Sequence, residues 1–238
     1  MAAIDPTVLK QLEAGEIETA NLTEGLGINM NKLMGVVAPS LGKNLIDSEL
    51  GIVQRMAQAG LLLRKARLNL GDHASDTVRG WASFAIGQDQ SIEPMQRLAL
   101  MRPFAADSHF GVREWAWMAV RAIVVADPVA SIKVLAPWAL EKDANVRRFA
   151  SEATRPRGVW AASVPILRKE PHLAMPILKE LRFDAERYVE DSVANWLNDA
   201  AKDQPDWVGQ LLGQWEKEGV ADRLIKRASR SLKSSLKN

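Results

Sequence analysis

The feature that most constrains the fold is a helical hydrophobic period that runs through most of the chain. From Ile46 onward apolar residues recur at spacings of three, four and seven, and no stretch shows the sustained alternation of a strand. The pattern therefore predicts an all-α fold. The predicted helices are 46–58, 60–70, 73–87, 91–104, 110–125, 128–140, 144–155, 158–169, 171–182, 185–202, 205–217 and 219–235. Their short connections favour antiparallel packing of neighbours.

The first part of the chain gives a weaker pattern. We expect residues 1–45 to form an N-terminal helical segment ahead of a repeat domain over 46–238, within a single domain overall. Short helical patterns cover 7–14 and 30–37. The glycines expected to interrupt this region are Gly25, Gly27 and Gly35.

Four of the helical segments resemble one another, and they read FGVREWAWMAVR, ANVRRFASEATR, RYVEDSVANWLN and RLIKRASRSLK. Their anchor residues Val112, Val146, Val189 and Ile225 are separated by 34, 43 and 36 residues. This period is typical of HEAT-like helix pairs, which stack because no pair buries its apolar face alone. The sequence thus predicts an α-solenoid of HEAT-like helical repeats whose concave face is lined by these segments.

The polar faces of these segments combine acids with bases. The stripes are Glu114, Trp117 and Arg121; Arg148, Glu152 and Arg155; Asn195, Asp199 and Lys202; and Lys226, Arg227 and Arg230. Carboxylates in a groove for a polyanion reduce its affinity, so their presence suggests a chemical use. The alternative for Glu152 is an intrahelical salt bridge with Arg148, worth about 0.2–0.5 kcal/mol. After this helix Pro156 interrupts the pattern and Trp160 follows, where an indole could turn back toward Glu152.

Composition narrows the partners and excludes several kinds of site. The net charge of the chain is +2, but six bases and no acid lie between Arg223 and Asn238, so positive charge is concentrated in this segment. Such a segment suggests a polyanion partner, or a basic helix end that complements the dipole. The absence of Cys excludes disulfides and thiolate metal sites, and three scattered His residues do not suggest a metal site. With no signal-peptide or membrane-spanning pattern, we expect a cytoplasmic protein without membrane contact.

Three stretches carry a family resemblance: VRRFASEATRPR, SVANWLNDAAKDQPDWV and IKRASRSL. They resemble the HEAT-like-repeat alkylpurine DNA glycosylases AlkC and AlkD, and the AlkC branch in particular, over roughly residues 75 to 235. The resemblance implies a bacterial base-excision repair enzyme that removes cationic N-alkylated purines, chiefly 3-methyladenine, from duplex DNA without flipping the base. We expect a monomer without metal or cofactor, whose partner is double-stranded DNA containing alkylated bases.

The resemblance also implies roles for individual residues. The catalytic carboxylates would be Glu152, Asp199 and Glu114. The lesion-contacting aromatics would be Trp160 and Trp117. The DNA-binding residues would be Arg113, Arg148, Arg155, Arg157, Lys202, Lys226, Arg227 and Arg230. Two departures from the family's pattern are Arg227, where His is usual, and Trp196, where a smaller or polar residue is usual.

Elementary chemistry agrees with such an activity. A purine alkylated at N3 or N7 is already cationic, so it leaves as a neutral base without a general acid. Carboxylates can stabilise the oxocarbenium-like sugar and orient a water, and an indole can favour the cationic base by about 0.5–2 kcal/mol. Two alternatives stay open: a DNA-binding relative without excision that recognises bent or branched DNA, and a helical scaffold for protein partners. The acid-and-arginine stripes argue against the scaffold.

Overall fold

The computed structural model describes residues 4–43, 45–158 and 160–235, and regular structure within these ranges is helical throughout, as predicted. The chain divides into two compact units, Met1–Val120 and Arg121–Asn238. Within the described ranges no helix combines the length and apolar character needed to cross a bilayer. Outside them lie Val159 of the predicted helix 158–169, Lys237 of the basic segment, and residues 1–3 and 44 of the predicted N-terminal segment.

The first unit begins with short helices and continues in packed longer ones. Its helices are α1 (Pro6–Glu13), α2 (Leu22–Gly27), α3 (Met30–Val37), α4 (Ile52–Lys65), α5 (Asp76–Gly87), α6 (Pro94–Ala99), α7 (Arg102–Ala105) and α8 (Phe110–Ala119), with a 3₁₀ turn over Pro39–Leu41. Asp5 and Asn29 begin α1 and α3 by accepting backbone N–H groups on their side chains. Helix α5 packs between α4 and α8. Met56, Trp81 and Val112, one from each helix, are fully buried there.

The second unit repeats this arrangement. Its helices are α9 (Arg121–Ala126), α10 (Pro128–Leu135), α11 (Ala144–Ala153), α12 (Pro165–Lys169), α13 (Met175–Leu181), α14 (Arg187–Ala200), α15 (Pro205–Lys217), α16 (Asp222–Ala228) and α17 (Arg230–Ser235), with 3₁₀ turns over Ala136–Leu140 and Pro171–Ala174. The similar segments form α11, α14 and α16, which pack side by side. Their anchors Val146 and Val189 are fully buried, and Ile225 is half-buried beside buried Leu224.

An arginine after the anchor valine ties several of these helices to the loops before them. Arg79, Arg113 and Arg147 each donate from Nη1 to the carbonyls six and five residues earlier, at 2.7–3.1 Å. Arg79 and Arg147 also pair through two nitrogens with Asp107 and Asp184, which lie in the loops before α8 and α14. The Val-Arg pairs at 78–79, 112–113 and 146–147 recur every 34 residues, so the repeat extends back to α5.

The predicted break between the helices 46–58 and 60–70 is wrong. One helix, α4, runs through it from Ile52 to Lys65. A Cβ at Gly60 would lie 2.6 Å from the Cβ of Phe84 and 2.8 Å from the backbone of Ala85. Gly60 is therefore needed for the close approach of α4 to α5 rather than for a turn. Gly25, Gly27 and Gly35, which were expected to interrupt the N-terminal segment, likewise lie in helices α2 and α3.

Several other predicted helices are wrong in extent. The predicted helices 91–104, 110–125 and 219–235 are each divided into two, and 128–140 and 171–182 are partly 3₁₀. The predicted helix 158–169 is helical only from Pro165. The ring of Pro165 disfavours a helical conformation at Val164, which is extended with φ −102° and ψ 97°. A loop therefore separates α11 from α12.

Candidate functional site

Two of the predicted catalytic carboxylates meet at one guanidinium in the second unit. Glu152 lies in the last turn of α11, and Asp199 lies in the last turn of the neighbouring helix α14. Arg155 donates from Nη1 to Glu152 Oε1 at 2.7 Å, and from Nε and Nη2 to Asp199 Oδ2 at 3.0 and 2.6 Å. Arg155 thus joins the two carboxylates, which point to the same place.

Glu152 is held by three groups besides the backbone. Its Oε2 accepts a hydrogen bond from Ser192 Oγ at 2.7 Å and lies 3.5 Å from Arg148 Nη2. Burial would raise the pKa of Glu152, but the charges of Arg148 and Arg155 and the Ser192 hydrogen bond hold that pKa below its ordinary value. Glu152 is therefore ionised at neutral pH.

Sequence reasoning missed Ser192. It lies seven residues before Asp199 on α14, and this spacing puts both on one face of the helix. That spacing was the available signal, because Ser192 opens the SVANxLND motif. Ser151 Oγ in turn lies 2.8 Å from Ser192 Oγ, so the hydroxyl has a fixed neighbour on α11.

The cluster runs from solvent to the interior. Lys202, with 43% of its side chain exposed, donates from Nζ to Asp199 Oδ1 at 3.0 Å. Asp199 is followed inward by Arg155, Glu152 and Ser192. Burial would lower the pKa of Arg155, but Glu152 and Asp199 outweigh it and raise that pKa above the ordinary value. The guanidinium therefore keeps its charge between the carboxylates.

This cluster is far less accessible than an open polar stripe. Glu152 and Asp199 are only 4% and 5% exposed, and Arg148 is 8% exposed. Arg148 lies over the ring of Tyr188, 4.7 Å from its centroid. The burial follows from helix packing, because α14 covers this side of α11.

Trp160 lies in the loop that follows α11. Val164 N donates to Pro156 O at 2.9 Å and closes this loop. Trp160 adopts φ 58°, a left-handed conformation that costs a residue with a Cβ about 1–2 kcal/mol. It is nevertheless 52% exposed, so burial of the indole does not offset this strain. An exposed aromatic side chain on a strained backbone is typical of residues that contact a ligand.

Arg121 anchors the same loop from the interior. It donates to the carbonyls of Ala153, Arg155 and Ala162 at 2.7, 2.6 and 2.7 Å. Burial, and then the charge of Arg155, lower the pKa of Arg121 to about 10. Arg121 was expected on a polar stripe of a continuous helix over 110–125. That expectation is wrong, because α8 ends at Ala119 and Arg121 begins α9 as a buried residue.

Glu114 and Trp117 belong to the first unit, whereas Glu152, Asp199 and Trp160 belong to the second. Trp117 Nε1 donates to Glu114 Oε2 at 2.8 Å, and Trp117 is 3% exposed. The indole therefore orients the Glu114 carboxylate. The assembly of Glu114 with the other two carboxylates, and the contact of Trp117 with a lesion, stay predictions.

The predicted DNA-binding arginines near the loops already have protein partners. Arg113 donates to the carbonyls of Asp107 and Ser108. Arg157 pairs with Asp203, with Nη2 2.9 Å from Oδ1. These contacts order the guanidinium groups, and their role toward DNA stays a prediction.

The basic residues of α16 and α17 meet polar side chains of α14. Arg227 donates to Asn195 Oδ1 at 3.0 Å and lies 3.2 Å from Asp191 Oδ1. Arg230 donates to the same Asn195 oxygen at 3.3 Å. Lys226 is exposed. Over the residues that the structure describes, no group of three or more His, Asp and Glu side chains is placed to hold a metal ion.

Comparison with known proteins adds one sequence relative. No family model matches the chain. Over 84 residues the chain is 42% identical to the uncharacterized protein YhaZ of Bacillus subtilis. The match covers 35% of this chain and 24% of YhaZ, so it concerns a minor part of that protein.

Solved structures show likeness over much more of the chain. Pseudomonas fluorescens alkylpurine DNA glycosylase AlkC, bound to DNA containing an abasic site analog, matches with a TM-score of 0.66 and 25% identity, over 95% of this chain and 61% of that chain. AlkD2 from Streptococcus mutans matches with a TM-score of 0.61 and 24% identity, over 76% and 90% of the two chains. The protein smu.31 from Streptococcus mutans UA159 matches with a TM-score of 0.60 and 24% identity, over 75% and 92%. The chain thus spans less than two thirds of the AlkC chain, and its helical repeats and these likenesses show the HEAT-like-repeat fold of the AlkC/AlkD superfamily.

Proposed function

We propose that the protein is a monofunctional DNA glycosylase that hydrolyses the N-glycosidic bond of cationic N-alkylated purines, chiefly 3-methyladenine, in duplex DNA without base flipping. The observation that carries this proposal is the convergence of two buried carboxylates, Glu152 and Asp199, on the guanidinium of Arg155. Arg155 directly precedes the loop that presents Trp160. One short stretch of chain thus carries Glu152, the Arg155 that binds Asp199, and the exposed indole of Trp160.

The chemistry requires negative charge near the sugar. The alkylated base leaves as a neutral molecule, so the protein has to stabilise an oxocarbenium-like sugar and orient a water. Two carboxylates that already share one cation form a site where a single positive charge is stabilised from two sides. Such preorganised charges act strongly in a poorly hydrated site. Ionised Glu152 can accept the proton of the attacking water.

Trp160 is the proposed contact for the damaged base. Its indole is exposed although its backbone is strained. A cationic base over or beside an indole gains about 0.5–2 kcal/mol, which a neutral base does not. This difference would help to select alkylated purines.

We propose that exposed cations hold the DNA backbone. Lys202 and Lys226 extend to solvent, and Arg227 and Arg230 are ordered by Asn195. Arg148 and Arg155 were also expected to contact DNA. Their burial and their pairing with carboxylates favour a role in holding the acids ionised and in place.

A second candidate is a DNA-binding relative that has no excision activity and recognises bent or branched DNA. It is favoured by the near-complete burial of Glu152 and Asp199, whose oxygens already bind Arg155, Ser192 and Lys202. A structural ion-pair network has the same appearance.

One experiment separates these functions. Duplex DNA treated with a methylating agent is incubated with the full chain, and released 3-methyladenine and 7-methylguanine are quantified by chromatography. Release above spontaneous depurination supports the glycosylase. Salt-sensitive binding of duplex without release supports the second candidate, and absence of salt-sensitive binding rejects both.

A further inference from the structure

Two arginines converge on one carboxylate at the base of the Trp160 loop. Arg157 donates from Nε and Nη2 to Asp203 at 3.2 and 2.9 Å. Arg168 donates from Nε and Nη2 to the same carboxylate at 3.0 and 2.7 Å. Asp203 lies in the loop that follows α14. Arg157 lies in the loop that follows α11, and Arg168 lies in α12 after that loop.

This cluster carries a surplus positive charge and unused donors. Two guanidinium groups against one carboxylate leave a net charge of one positive unit. Each arginine uses only its Nε and Nη2 edge, and neither Nη1 binds any of the residues that the structure describes. Both arginine side chains are 36% exposed, against 19% for Asp203, so the remaining N–H groups face accessible space. A planar fork of this kind matches the oxygens of a phosphate.

Asp203 makes the arginines better ligands rather than cancelling them. It holds two like charges side by side in one orientation, so less side-chain freedom is lost when an anion binds. The hydrogen bond from Arg168, helped by Arg157 and opposed by burial, holds the pKa of Asp203 below its ordinary value. The carboxylate therefore keeps the pair ordered at neutral pH.

The position of the cluster connects it to the site. Arg157 lies three residues before Trp160, and Arg168 lies eight residues after it. The hydrogen bond from Val164 N to Pro156 O closes the loop between them. A phosphate bound by the two arginines would therefore lie close to the nucleotide that Trp160 contacts.

We propose that Arg157 and Arg168, aligned by Asp203, form a binding site for one phosphodiester of the DNA strand next to the Trp160 loop. The proposal rests on the proposed function, since it takes DNA as the ligand. It gives Arg168, which no sequence motif singled out, a direct role in DNA binding.

The test measures binding of an undamaged DNA duplex by fluorescence anisotropy at several salt concentrations. We expect Arg168→Gln to reduce the slope of log affinity against log salt by about 0.9, the contribution of one phosphate. Between ~50 and ~200 mM salt the affinity of the variant should therefore fall about threefold less than that of the unsubstituted protein. If both arginines bind one phosphate, Arg157→Gln combined with Arg168→Gln should reduce the slope by the same amount as either change alone.

Arg182→Gln is the matched control, because Arg182 pairs with Glu218 at 3.0 Å in the same unit but outside this cluster. Its slope should equal that of the unsubstituted protein. An unchanged slope for Arg168→Gln, with base release retained, overturns the phosphate site and leaves the glycosylase standing. If the unsubstituted protein binds DNA but releases no base, a reduced slope for Arg168→Gln rejects the glycosylase and supports the phosphate site. No DNA binding by the unsubstituted protein rejects both.

Discussion

At the scale of single residues, the candidate site depends on mutual pairing of buried charges. A carboxylate as buried as Glu152 would cost several kcal/mol without partners. Arg148, Arg155 and Ser192 supply those partners. Any substitution in the cluster therefore affects stability as well as chemistry, and tests have to separate the two effects.

The ionisation of Glu152 links stability to pH. Its pKa in the folded protein lies below the ordinary value, so its contribution to stability is complete above about pH 5 and is lost as pH falls through the folded-state pKa. We expect the free energy of unfolding, measured with urea, to fall more steeply between about pH 5 and pH 2 for the unsubstituted protein than for Glu152→Gln. Equal slopes would show that Glu152 gains no net stabilisation from its arginines.

Ser192 is expected to tune that same carboxylate. Ser192→Ala removes a hydrogen bond to ionised Glu152, so the pKa of Glu152 should rise and the acid limb of the rate of base release should move to higher pH. Ser83→Ala, which removes another buried hydroxyl that donates to the carbonyl of Gly80, should lower stability without moving the acid limb. If both variants give the same dependence of the base-release rate on pH, Ser192 has only a packing role.

The sequence predicts those contacts of the cluster that join residues close together along the chain. Arg148, Glu152 and Arg155 are three and four residues apart on α11, and the structure brings them together as helical spacing requires. Ser192 and Arg121 reach the cluster from 40 and 34 residues away from Glu152 and Arg155. Such contacts depend on how repeats stack, which local periodicity does not specify.

At the scale of elements, the end of α11 and its loop determine the site. The helix was expected to reach Arg155, but it ends at Ala153 and releases Arg155 to bridge two helices. The segment from Trp160 to Val164 was expected to be helical. Pro165 prevents this, and the resulting loop leaves Trp160 exposed.

Two substitutions of Trp160 separate backbone strain from the aromatic contact. Trp160→Gly and Trp160→Ala both remove the indole, so both should slow base release from methylated DNA by about two- to thirtyfold. Glycine accepts φ 58° more easily, so Trp160→Gly should be more stable than Trp160→Ala by about 1 kcal/mol. Denaturant titration measures the stability difference, and unchanged base release in both variants would remove Trp160 from the site.

The packing of α4 on α5 makes a second prediction for an element. Gly60→Ala places a methyl group against the backbone of α5, so it should lower the free energy of unfolding by about 1–3 kcal/mol. Gly213→Ala in α15 meets no atom within 4 Å and should raise it by about 0.5–1 kcal/mol. Opposite signs in urea titrations are expected, and destabilisation by both variants would contradict the close approach of α4 to α5 at Gly60.

At the scale of the whole molecule, the repeat was more predictable than its extent. The Val-Arg pairs recur because α5, α8 and α11 each bury a valine and tie the arginine after it to the preceding loop. The sequence pattern does not indicate the division into Met1–Val120 and Arg121–Asn238, because similar segments occur in both units. Charge placement matters more than the net charge of +2, because a polyanion responds to local clusters of bases.

In the proposed glycosylase, Glu152 acts on a sugar cation in duplex DNA. The rate of 3-methyladenine release from a methylated duplex by the unsubstituted protein and by Glu152→Gln, with duplex affinity measured in parallel, tests this role. We predict that the unsubstituted protein releases the base and that the variant is about 10²–10³-fold slower while it binds duplex equally or more tightly. Equal release rates, with a folded variant, would contradict a role of Glu152 in base release.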